Sequence, residues 1–241
     1  MGFSVGKSAV ILSDQFDITA FFNSLNCNHE VGSGETTVFG NNDRNFLATL
    51  KGGNLSAEGF GDFSSNAIDQ ILNAALGVAA GQIITVGFAG LTVGNRVRVC
   101  KAKETRYSLS QRVDGVVTTG MDVMADGGLL PGVSLHALAA ETASSNSASV
   151  DNLVATTGGG VTNLHLTAVT AVGGDSLTVT IEDSADNSIW ATIATFTVLT
   201  TAVTSEQLAI AGTIRRYVRS KWVKGGVGTP SYTFAVSLAR K

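Results

Sequence analysis

The chain has 241 residues, of which 44% are hydrophobic and 15% charged, with a formal net charge of −3. This composition excludes a disordered, charge-rich chain, and the length can bury two ordinary cores. Residues 1–135 carry 9 basic and 12 acidic side chains and residues 136–241 carry 7 of each, so neither half has the basic footprint that gripping nucleic acid requires.

Abundant Thr and Val with 28 Gly and only 2 Pro indicate short strands and tight turns. Cys27 and Cys100 are far apart in sequence and form no CxxC pair, which reads as two small buried thiols. No apolar run approaches about 18 residues, so no membrane span is expected. The N-terminus lacks a basic region followed by an apolar one, so no signal peptide is expected.

Residues 7–13 form a first strand candidate, followed by a turn around Asp14 and Asp17. Alternation continues through Ile18, Ala20 and Phe22, then Leu25, Cys27 and His29. Residues 31–46 read as a long polar, Gly-rich loop holding Val38, Phe39 and Phe46; a loop of that length is functional or disordered. Asn54, Ser56 and Glu58 alternate with Leu55, Ala57 and Gly59, which predicts a strand near 53–60. The period then changes. Ile68, Ile71, Leu72, Ala75 and Leu76 fall on one helical face, with Ser64, Ser65 and Asn66 as candidate N-caps and Gly77 at C′. One amphipathic helix is predicted over 64–76.

Strand-like text returns at 82–88, 95–102, 105–113 and 116–124, with turns at Gly90, Gly94 and Asp114-Gly115. Residues 125–132 look like a turn-rich break, placing a domain boundary near residue 135. Beyond it, Leu164, Leu166 and Ala168, Leu177, Val179 and Ile181, the run Ile189 to Val198 with Trp190 and Phe196, Ile214, Val218 and Trp222, and Tyr232 to Leu238 read as strands at even spacing. The expected fold is all-β with one short helix: a β-sandwich or barrel in 1–135, then a second β-sandwich, jelly-roll or Ig-like, in 136–241.

Four words in the first half carry a family resemblance: Thr36-Thr37-Val38-Phe39-Gly40, Asp43-Arg44-Asn45-Phe46-Leu47, Leu50 through Ser56, and Gly59-Phe60-Gly61-Asp62. They resemble the major tail (tail tube) proteins of long-tailed, siphovirus-type bacteriophages, with Asn41 where that family often has Asp. The resemblance is strongest over 14–77 and continues weakly to about residue 135. It implies a tail-tube-type domain whose subunits form stacked, hexamer-like rings around a lumen that DNA traverses without specific binding. It also implies partners: further copies of the chain and other phage tail proteins. The protein would be made in the host bacterial cytoplasm and reside in the virion tail. Residues 136–241 would decorate the tube exterior, with contact to the host surface as a role left open. Carried over residue by residue, the subunit or ring contacts are Thr36, Thr37, Phe39, Asp43, Arg44 and Phe46.

No enzyme site assembles from the sequence. Gly2 to Ser8 has the wrong glycine spacing for a phosphate loop. His29, His136 and His165 are scattered and read as hydrogen-bonded surface or sheet residues. Asp14/Asp17 and Glu182/Asp183 read as turn caps. No metal or cofactor is implied. Arg215, Arg219 and Lys221, with Arg216 and Lys224, form the densest basic cluster, read as a solvated exterior face. Two alternatives stand beside the tube reading: a capsid decoration protein, and a surface-adhesion or carbohydrate-binding module. The second would need Trp190, Tyr217, Trp222 and Tyr232 on an exposed platform.

Overall fold

A computed structural model of the chain describes residues 6–40 and 42–241. In chain order the strands are β1 (Val10–Ser13), β2 (Phe16–Asp17), β3 (Phe22–Glu35) and β4 (Phe46–Phe60), then helix α1 (Ile68–Ala75). There follow β5 (Gln82–Gly87), β6 (Arg96–Ser110), β7 (Thr118–Glu141), β8 (Ser145–Asn146), β9 (Val150–Asp151) and β10 (Gly160–Thr170). The chain ends with β11 (Ser176–Ser184), β12 (Trp190–Thr195), β13 (Thr204–Ile210), β14 (Tyr217–Gly225) and β15 (Ser231–Arg240). The fold is therefore all-β with one short α-helix, plus single 3₁₀ turns at Gly6–Ser8 and Thr19–Phe21.

The chain divides into two compact units. Unit 1 gathers residues 6–20, 83–99 and 130–241; unit 2 gathers 21–82 and 100–129. Residue 135, where the sequence suggests a boundary, lies inside β7, and the expected break at 125–132 is strand. Gly132 to Glu141 are held there by antiparallel pairing with β15, and Pro131 immediately precedes the first paired residue of that ladder.

Unit 1 is a β-sandwich. One sheet runs β13-β10-β15-β7-β6-β5-β1-β2 and the other β12-β11-β14-β8, with β9 also on β14. Leu164, Leu166, Phe234, Val236 and Leu238 of the first sheet meet Leu177, Val179, Ile181, Val218 and Trp222 of the second in one buried cluster. His136 lies stacked on Phe234, with ring centroids 4.2 Å apart, and meets Trp222 edge-on at 4.6 Å. β15 is buried on both faces: Ala235 and Ala239 join Leu12, Leu91, Val97 and Val99 in a second cluster.

A polar seam crosses the first sheet. The buried His165 places Nδ1 2.7 Å from the Asp14 carbonyl and Nε2 2.8 Å from the Thr85 hydroxyl. Asn163 donates to the Ile84 carbonyl and accepts from Gln207. Burial holds the His165 imidazole down to about 4, so it is neutral near pH 7.

Unit 2 contains β3 and β4, α1 and parts of β6 and β7. β4 lies between β3 and β7, pairing with β7 from Asn54↔Met124 to Phe60↔Thr118. Asp114-Gly115 does turn β6 into β7, with the Gly115 N–H donating to the Arg112 carbonyl at 3.1 Å. The stretches 95–102 and 105–113 form the single strand β6, because no turn residue interrupts Ala102-Lys103-Glu104.

The helix is shorter than the periodicity predicts. Its N-cap is Ala67, without a side-chain cap bond, because Asn66 adopts φ 60 and Asp62 caps Ser64 instead. Gly77 takes the left-handed C′ position at φ 72. Ile68, Ile71 and Leu72 are buried, whereas Leu76 is exposed. The helix is tied to β6 by the Tyr107 hydroxyl, which donates to Asp69, and by the Gly77 N–H, which donates to the Glu104 carbonyl. The Glu104 side chain is buried with neither oxygen hydrogen-bonded, and burial pushes its carboxyl up to about 8.

Candidate assembly interface

The loop expected over 31–46 is partly strand, and Phe46, expected within it, opens β4. β3 and β4 form a long antiparallel hairpin whose ladder reaches Glu35↔Phe46, leaving only 36–45 as its tip. Two features allow the ladder to extend. The register shifts between Val31 and Ser33, where Thr49 and Leu50 of β4 together oppose Gly32, and a Cβ on Gly32 would stand 2.4 Å from the Thr49 hydroxyl oxygen. At the tip, the Thr36 N–H donates to the Asn45 carbonyl at 2.8 Å and the Asn45 N–H to the Thr37 hydroxyl at 3.0 Å.

The hairpin outruns its support. β7 pairs with β4 only over Asn54–Phe60, so Phe46–Gly53 and the β3 residues opposite form a two-stranded ribbon. β3 pairs only with β4 among the described residues, so its other edge is open. Both faces of the ribbon are apolar and exposed. Phe46 and Val31 lie on one face, at 60% and 50% exposure; Leu47 and Leu50 lie on the other. Val38 and Phe39 project from the tip, Phe39 fully exposed.

The predicted contact residues thus sit together on one element but in different roles. Phe39 and Phe46 present side chains outward. Asp43 and Arg44 are exposed and make no ion pair among the described residues. Thr36 and Thr37 spend their hydroxyls on Asn45 and hold the tip closed. Asn41 lies outside the described residues, as does most of Gly2–Ser8. Val31, Leu47 and Leu50 complete the apolar surface; their signal was the run Phe46-Leu47-Ala48-Thr49-Leu50, too continuous for a polar loop.

The basic cluster is not a free positive face. Arg215 clasps Asp183, with Nε 2.8 Å and Nη2 2.6 Å from Oδ1, and its own N–H donates to Oδ2. Arg219 and Lys221 share Glu182, and the Arg219 guanidinium lies 4.1 Å over the Trp190 ring. Arg216 pairs with Asp151, which holds that carboxyl down to about 2. Glu182 and Asp183, expected at a turn, lie on β11 and are buried beneath these cations. Asp14 and Asp17 do cap backbone, accepting from the Ile83 and Thr19 N–H groups.

The aromatic platform does not form: Trp222 and Tyr232 are buried, while Trp190 and Tyr217 lie beneath Arg219 and Arg216. His136 and His165 are hydrogen-bonded within unit 1 and His29 is exposed on β3. Cys100 is buried, which pushes its thiol up to about 12, and Cys27 is half-buried. Among the described residues no group of three or more His, Cys, Asp and Glu could hold a metal ion, and no helix is long and apolar enough to cross a membrane.

No family model and no curated protein matches the chain. Among solved structures it is similar to a chain of the virion of a native gene transfer agent particle, at 12% identity and TM-score 0.42, over 53% of this chain and 97% of that one. It is similar to the SPP1 Dit protein, described as a paradigm of the hub adsorption apparatus in Gram-positive-infecting phages, at 14% identity and TM-score 0.38, over 96% and 98% of the two chains. It is also similar to the tube-terminating cap of the anti-feeding prophage, at 14% identity and TM-score 0.42, over 52% and 89%.

Proposed function

We propose that this chain is a structural protein of a phage tail, a subunit that assembles through the β3–β4 arm into stacked rings forming the tail tube. The observation that carries this reading is the unsupported two-stranded ribbon with apolar side chains on both faces. An isolated hairpin is marginal in water, and exposed Phe, Leu and Val lower their free energy only by covering one another or a partner. The open edge of β3 can pair with a strand from a neighbour, which is how a ring of subunits removes its edges. The tail-tube resemblance over 14–77 falls on this same arm.

In this reading the tube strands come from within 1–135. Residues 136–241, which build most of the sandwich, decorate the exterior. A lumen without excess positive charge lets DNA slide past. The adhesion alternative loses its aromatic platform to burial and to stacked arginines.

Electron microscopy of the concentrated protein, with mass photometry of the same sample, tests the proposal. Rings or hollow tubes are expected, and replacing Phe39 and Arg44 should abolish them while the fold survives. A chain that remains monomeric, even with virion extract as initiator, contradicts it.

A further inference from the structure

The register of unit 2 places a second exposed patch at the far end of the arm's own strand. β4 runs from the tip, where Phe46 faces Glu35, to Phe60, which faces Thr118 at the start of β7. At about 3.3 Å per residue, those ends of β4 are on the order of 45 Å apart. The far end is closed by the β6–β7 turn, residues 111–117, and by the segment after β4, joined where the Gly61 N–H donates to the Val117 carbonyl at 2.9 Å.

This end is apolar and exposed, as the arm is. Val113 is fully exposed and Val116 70% exposed, while Phe60 and Phe63 are about half exposed. The Phe63 ring lies beside this turn: an added Cβ at Gly61 would meet Val117 at 3.0 Å and the Phe63 ring at 3.5 Å. The turn also carries Arg112 and Asp114, both exposed and without an ion pair among the described residues. The arm tip carries the reciprocal pair, Asp43 and Arg44. One sheet thus bears at opposite ends two apolar patches, each flanked by one acid and one base that form no ion pair among the described residues.

We propose that the 111–117 turn, with Phe60 and Phe63, is the receptor for the arm tip of a second copy of this chain. Val38 and Phe39 pack on Phe60, Phe63, Val113 and Val116, while Asp43 faces Arg112 and Arg44 faces Asp114. Two different patches at opposite ends of one sheet make a heterologous contact, which propagates from copy to copy instead of closing as a dimer. The inference rests on the assembly reading above and names the surface that receives the arm.

Reciprocal charge reversal is the test. The double variants Asp43→Arg/Arg44→Asp and Arg112→Asp/Asp114→Arg each place like charges in contact. Each should raise by about tenfold or more the concentration at which assemblies appear by mass photometry and electron microscopy. The quadruple variant restores both pairs and should assemble as the wild type does. Val113→Asp, on a turn that buries nothing, should keep the wild-type Tm and lose assembly. A wild-type chain that stays monomeric at every concentration overturns both readings. Assembly that requires Phe39 but is indifferent to the turn variants, or a quadruple variant that stays dissociated, overturns this one alone.

Discussion

Trp222 and Phe39 are both large aromatic residues, and they end in opposite environments. Trp222 in unit 1 is buried between two sheets, stacked edge-on against His136, with its indole N–H donating to the Ala143 carbonyl at 3.0 Å. Phe39 in unit 2 touches nothing that hides it from water. The charges divide the same way: Arg215, Arg216 and Arg219 have acids of their own chain, whereas Asp43 and Arg44 have none among the described residues. These residues of unit 1 find their partners within the unit. The arm leaves its own contacts incomplete, and incompleteness in a folded chain points to a partner.

Core truncation in the sandwich should produce the largest loss of stability. Phe234→Ala removes a fully buried ring that packs on both His136 and Trp222 and should cost about 3–5 kcal/mol in urea unfolding. Both tryptophans belong to unit 1, so their fluorescence reports that unit. Asp183→Ala strands the Arg215 guanidinium and backbone N–H that the carboxylate now accepts from, and should cost about 2–3 kcal/mol by the same measurement.

Titration should separate the two units by the sign of their response. His165 in unit 1 is held down to about 4, below the ordinary imidazole value, so the unfolded chain binds its proton first as pH falls. Unit 1 should therefore lose stability as pH drops from about 6.5 to about 4, by about 1.4 kcal/mol per pH unit at most. Glu104 in unit 2 is held up at about 8, so the unfolded chain loses its proton first as pH rises. Unit 2 should lose stability between the ordinary carboxylate range and about 8, and level off above it. Circular dichroism melts of His165→Gln and Glu104→Gln across pH should each flatten one limb and leave the other.

The smallest stability effect belongs to the arm. Phe39→Ser should change the melting free energy by less than about 0.5 kcal/mol, because no buried contact is lost, while assembly disappears. A marked drop in Tm would instead make the arm part of the fold's own core and erase the contrast.

The sandwich was legible in the sequence because burial on one face imposes a period of two: Leu177, Val179 and Ile181, or Tyr232, Phe234, Val236 and Leu238, declare their strands. The helix was legible from Ile68, Ile71 and Leu72, though its start was not, since Asn66 adopts a left-handed conformation that no local rule requires. The arm was the hardest to read. Alternation marks only the bases of its strands; the distal residues 31–35 and 46–52 are exposed on both faces and show none, and Gly32 and Gly34 read as loop. Its contact residues were identified from words that resemble a family rather than from periodicity. The pairing of Glu182 and Asp183 with distant arginines was hidden because it depends on the β11–β14 register, which places Glu182 opposite Arg219.

Hydrogen exchange of the arm tests the central claim most directly. In the free subunit, amides of residues 29–35 and 46–52 should exchange far faster than those of β10 and β15, because a two-stranded ribbon opens readily. In the assembled protein the same amides should slow by at least about tenfold, while the sandwich is unchanged. Assemblies in which the arm still exchanges as it does in the free subunit would contradict the account, because the copies would then be held together by some other surface.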